Sequence, residues 1–182
     1  MMIKKIMGVL LLICILFSFG GCSALNIVNS YIEPTESIFK IDSYHLQITA
    51  DSTFEEETGG DFDLQITNGD CYISVMAYKQ IDISDDLTPL DVFDMQNEDL
   101  FSRRTNVNVI EEAKTQTLSQ KNITKKLYSA EKDNVKNYYA TYLIDFPDDK
   151  TFAWILVSAI PSYLDDNQEY VHNIVCSLST IK

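Results

Sequence analysis

The side chains that most often carry acid–base, nucleophilic or metal chemistry are scarce in this chain. Its 182 residues hold two histidines and four cysteines. Any Ser-His-Asp arrangement or histidine-based metal site must therefore be built on His45 or His172. His172 and Cys176 stand four residues apart in a segment of helical spacing, so they are neighbours on one helix face. An imidazole beside a thiol is the pairing that generates a nucleophilic thiolate. Neither a third ligand nor an orienting carboxylate lies near them in sequence. The pair is expected to be a polar stripe on the helix with a casual cysteine. A hydrolase using Cys176 and His172 is kept only as an alternative, and no catalytic residue is assigned.

Carboxylates are plentiful but poorly spaced for ligation. Glu55-Glu56-Glu57, Asp82 with Asp85-Asp86, Asp148-Asp149 and Asp165-Asp166 all fall in expected loops. Oxygen-rich loops can hold Ca²⁺ weakly outside a cell, which makes a calcium-responsive binding domain a second alternative. None of the four shows the alternating ligand spacing of a calcium loop, so no metal or cofactor is expected. Asp165-Asp166 is read as the cap of a final helix. There is no glycine-rich phosphate loop, since Gly59-Gly60 precedes a strand rather than a helix.

The overall charge narrows the partners. With 14 basic against 27 acidic residues the chain carries −13, and such a surface repels phosphate backbones. Nucleic acid is excluded as an expected partner.

The N-terminus is laid out as an export signal. Lys4 and Lys5 precede an apolar run from Ile6 to Phe19 broken only by Gly8 and Ser18, and Gly20-Gly21-Cys22 follows. Charged, apolar and small segments in that order define a secretory leader. The apolar run is shorter than the roughly 20 residues a membrane-crossing helix needs. Phe19-Gly20-Gly21-Cys22 resembles the lipobox of bacterial lipoproteins. Gly21 and Cys22 match that motif, and Phe19 stands where leucine is usual. The resemblance implies cleavage before Cys22, lipidation of its thiol, and an acidic domain held on the extracytoplasmic face of the cell membrane. Two acyl chains on one residue suffice for stable anchoring. Loss of Lys4 and Lys5 with the leader would take the charge from −13 to −15.

Residues 1–21 are thus expected to be a signal peptide, 22–41 a tether without clear periodicity, and 42–182 one domain. Within the domain, strands are expected over 44–49, 62–67 and 71–79, the last two joined at Asn68-Gly69, a strong hairpin signal. Thr88, Pro89 and Asp91 mark a helix start, with Leu90, Phe93, Asn97, Leu100 and Phe101 on its inner face and Arg103 and Arg104 at its C-terminus. Four further strands, over 107–118, 122–130, 135–146 and 151–160, are separated by short polar connections and read as a meander. The fourth is apolar on both faces, which places it centrally. A helix over 164–179 closes the chain. On its wheel Cys176 lies away from the apolar stripe, whereas Cys71 is in phase with Ile73 and Val75. A bridge needs Cα atoms within about 7 Å, so two free thiols are expected. Tyr138 and Tyr142 share a strand face with Ala140, Ile144 and Phe146, with Tyr139 on the other. Such tyrosines suit a binding surface or, as favoured here, a sheet–helix interface.

The fold class is α+β, an antiparallel sheet with helices packed on its faces. The domain resembles the PsbP-like family of α/β/α sandwiches. The resemblance rests on Gly60-Asp61-Phe62 before the second strand, Leu90 to Gln96 opening the helix, Ile110-Glu111-Glu112, Ala159-Ile160-Pro161-Ser162, and Ile174 to Leu178. It implies an accessory or binding protein with an envelope protein as partner, and it lends no common chemistry.

Overall fold

Reversals of the chain occur where short polar residues interrupt alternating apolar runs. The computed structural model describes residues 34–181. At Asn68-Gly69 the side-chain oxygen of Asn68 accepts from the amides of Asp70 and Cys71 at 3.2 and 3.0 Å. Gly69 adopts φ 90°, a conformation that costs glycine nothing. This turn joins β4 (Leu64–Thr67) to β5 (Cys71–Lys79). Ser119-Gln120 and Asp133-Asn134 are paired left-handed residues, the signature of the two-residue hairpin turn whose twist matches that of its strands. They connect β6 (Thr105–Leu118), β7 (Lys121–Lys132) and β8 (Val135–Phe146).

These hairpins build a seven-stranded antiparallel sheet in the order β3-β4-β5-β9-β8-β7-β6, with β3 at Glu55–Glu56 and β9 at Thr151–Ala159. As expected, β9 is central. It pairs with β5 and β8 along its full length and is buried on both faces. A second sheet has the order β1-β2-β10, from β1 (Glu36–Ile41), β2 (Leu46–Asp51) and β10 (Ser179–Thr180). The tether expected over 22–41 is therefore too long. Glu36–Ile41 is a paired strand whose Ile41 is buried, and the compact unit begins at Pro34. Only the pairing with β2 identifies it, because Glu36, Ser37 and Lys40 blur its alternation.

The first helix, α1 (Pro89–Ser102), opens with the expected capping box: Thr88 Oγ1 accepts from the Asp91 amide, and the Asp91 carboxylate accepts from the Thr88 amide. Its buried residues are Val92, Phe93 and Asn97, with Leu100 and Phe101 packed against the same cluster, so the expected inner face holds except at Leu90, which is 50% exposed in the first turn. The second helix, α2 (Pro161–Cys176), starts three residues earlier than expected. Its N-cap is Ile160, with proline in the first turn. Asp165-Asp166 therefore lies inside the helix and does not cap it. The expected stripe holds, with Leu164, Val171, Ile174 and Val175 buried and Leu178 buried just beyond the end.

The architecture is a three-layer α+β sandwich. One face of the large sheet, carrying Ile73, Val75, Tyr142, Ile144, Ile155 and Val157, packs beneath α2 and the small sheet. The opposite face, carrying Tyr128, Tyr139, Leu143, Phe152, Trp154 and Leu156, packs beneath α1. The tyrosines of β8 accordingly serve the two sheet–helix interfaces rather than an exposed ladder. β6 is a fully flanking edge strand, exposed along nearly all of its length and broken by three register shifts.

Candidate functional site

Cys22 lies outside the described residues. Cys71 and Cys176 are both free. Cys71 is enclosed in the core, and burial pushes its thiol up to about 12. His45 sits exposed in a left-handed conformation after a 3-10 turn.

The structure does bring His172 and Cys176 together. Cys176 Sγ is 3.4 Å from His172 Nε2, and the imidazole stacks on the ring of Tyr142 at 5.8 Å. The thiol does not point away from the sheet as the helical wheel suggests. The meander extends past the flank of α2, and Lys121, Tyr142 and Glu111 of β7, β8 and β6 meet that flank. The environment opposes nucleophilic chemistry. Burial raises the Cys176 thiol above its usual value, against the pull of Lys121 and Lys125. Burial and Lys125 both lower His172. Each shift favours the neutral form, a thiol beside a neutral imidazole, whereas a reactive cysteine needs the thiolate. The adjacent depression of about 550 Å³ is lined by Glu111, Lys125, Gln168 and His172, and Cys176 is not among its walls. Among the described residues, no three histidine, cysteine or acidic side chains converge as metal ligands.

A different site was not visible in the sequence. α1 covers only part of its sheet face, and beside it lies a groove of about 530 Å³. Its floor is Tyr72 and Met76 of β5 with Trp154, Leu156 and Ser158 of β9, all on the α1 side of the pleat. One wall is Gln96, Leu100 and Arg103 of α1; Asp61 and Phe62 from the loop before β4 form another, and Arg104 and Lys132 close one end. The volume lies in the range of small-molecule sites, which are typically apolar with few placed polar groups.

Local chemistry holds these groups in place. Trp154 is 2% exposed, and its indole N–H donates to Oδ1 of buried Asn97 at 3.1 Å. That bond explains an asparagine on the inner face of α1, since a buried amide needs a partner. Arg104 donates from Nη1 to the Leu100 carbonyl, closing the end of α1, and its guanidinium lies 4.7 Å from the centroid of the Tyr139 ring. Arg103 reaches both carboxylate oxygens of Asp99 at 2.9 and 3.0 Å. The helical-terminus reading of Arg103 and Arg104 thus holds for Arg104, but their meeting with Trp154 depends on sheet pairing fifty residues downstream. The one sequence signal was the coincidence of both arginines at the end of an otherwise acidic helix.

No protein-family model matches the chain, and no curated protein matches it. Solved structures do. The solution structure of cyanobacterial PsbP (CyanoP) from Synechocystis sp. PCC 6803 superposes with a TM-score of 0.60 at 11% identity, covering 87% of this chain and 96% of that one. The crystal structure of the Saccharomyces cerevisiae Ran-binding protein Mog1p superposes with a TM-score of 0.55 at 11% identity, covering 82% and 97%. The chain therefore has a PsbP-like α+β fold, shared with Mog1p.

Proposed function

We propose that this chain is a bacterial lipoprotein whose domain is a non-enzymatic accessory or binding module, anchored through Cys22 on the extracytoplasmic face of the cell membrane. The charged, apolar and small segments of residues 1–21 and the lipobox-like Phe19-Gly20-Gly21-Cys22 support the anchor. The observation that carries the binding reading is the groove beside α1, an apolar cleft with fixed cations. On the opposite face of the sheet, beneath α2, burial shifts both members of the Cys-His pair toward their neutral, unreactive forms. One solved structure of the same fold is that of a Ran-binding protein, which supports a binding role. Here the partner is an envelope protein, and the net charge of −13 argues against nucleic acid.

A photo-crosslinking residue at Tyr72, which lines the groove and is 39% exposed, tests this in living cells. The expected result is a discrete adduct in the membrane fraction that persists when His172→Ala and Cys176→Ala are combined. Loss of the adduct and of function in that double variant would instead support the hydrolase.

A further inference from the structure

The groove carries more information than its shape. In a chain of charge −13 its lining includes Arg103, Arg104 and Lys132, and Arg103 and Arg104 are the only arginines in the sequence. The single tryptophan of the chain lies on the floor of the same groove. Arginine differs from lysine in presenting a rigid, planar fork of donors that matches the oxygens of a carboxylate or phosphate.

Arg104 is preorganised for such a contact. Its guanidinium is fixed by the Leu100 carbonyl on one side and by the face of Tyr139 on the other. Its Nε, buried, has no hydrogen-bond partner. A side chain already held in one conformation loses little entropy on binding. Arg103 is turned toward Asp99, a pair largely in solvent at 73% and 61% side-chain exposure. Exposed pairs of this kind are weak, so an incoming anion can displace Asp99 at small cost.

We propose that this groove binds a small organic oxyanion carried on an apolar body, the anionic head meeting Arg103 and Arg104 and the body lying along Trp154 and Leu156. The inference rests on the binding reading above and adds the ligand class. Carboxylate and phosphate heads share the recognition chemistry, and the probes below separate them.

Trp154 is the sole tryptophan, so its emission reports from the site alone. The full chain in a nonionic maltoside detergent is titrated with 4-phenylbutyrate, phenyl phosphate, the neutral 4-phenylbutan-1-ol and inorganic phosphate. Saturable changes are expected with the two aromatic anions. Binding is expected about tenfold weaker for the alcohol and for inorganic phosphate, the scale of one charge-assisted hydrogen bond. Arg104→Gln and, separately, Arg103→Gln should each weaken the aromatic anions about tenfold, with melting temperature as the check on folding. Because Arg104 also closes α1, Arg103→Gln decides the matter if the first variant melts early. Tighter binding of phenyl phosphate than of 4-phenylbutyrate assigns a phosphate head, and the reverse a carboxylate. Equal binding of acid and alcohol, or variants that bind like the parent, overturns the oxyanion class and leaves the groove as an apolar binding site. No saturable response to any probe, alongside the Tyr72 adduct, overturns the small-ligand inference while the binding module stands.

Discussion

Lys121 is a cation placed inside the fold, and its role is read from its donors. Its Nζ donates to the Cys176 and Leu178 carbonyls at 2.5 and 2.6 Å, across the end of α2. The last carbonyls of a helix have no partner within it, and the lysine satisfies that of Cys176, together with the Leu178 carbonyl just beyond the end, while complementing the helix dipole. Burial lowers the pKa of the amine, with a smaller opposing effect from Cys176. Lys121→Met keeps much of the volume and removes both donors. It is expected to cost about 1–3 kcal/mol, the penalty for buried acceptors left unpaired, read as a lower urea midpoint with unchanged slope. Residue identities of this kind are hard to see in a sequence. Lys121 appears there as one more polar residue in a hairpin connection, and nothing local reveals a helix end 55 positions away. The Arg104–Tyr139 and Trp154–Asn97 contacts were hidden for the same reason. By contrast, His172 and Cys176 were legible as a pair, because four residues on one helix fix their separation. Their protonation was not, since it depends on Lys125 and on burial beneath β7 and β8.

At the scale of elements, several signals are legible locally. Asn68-Gly69 dictates a reversal through backbone freedom and side-chain acceptors. Phe152, Trp154 and Leu156 against Ala153, Ile155 and Val157 announced a strand covered on both faces. Thr88 and Asp91 marked the start of α1, and their reciprocal bonds are present. That cap joins a helix to the layer that bears the groove. Thr88→Ala should therefore destabilise the protein by about 1 kcal/mol, detectable as a lower melting temperature. What failed were elements defined by a distant partner. β1 exists because β2 pairs with it, and β10 is a two-residue addition to the same sheet. The start of α2 was missed because an isoleucine followed by proline, rather than the aspartate pair, begins it. β6 illustrates a different constraint. As a 14-residue edge strand it is interrupted by register shifts and carries Glu111, Glu112 and Lys114, devices that blunt unwanted edge pairing.

At the scale of the molecule, two packed faces of one sheet divide the labour. The face beneath α2 is closed by the small sheet and holds the largest apolar cluster. The face beneath α1 is covered only in part, and the uncovered part is the groove. The PsbP-like fold is the scaffold that carries both faces. The remaining feature is the acidic charge, −13 for the whole chain: it repels anionic lipid headgroups, so the proposed place at a membrane calls for a covalent hold. In the proposed reading lipidation of Cys22 is that hold, and it is the claim on which the proposed location and role depend. Intact mass spectrometry of the protein taken from its native membranes tests it directly. The account predicts a chain beginning at Cys22 with the mass of bound acyl chains at that residue. A mature chain that begins elsewhere, or one that begins at Cys22 without acyl mass, would contradict it.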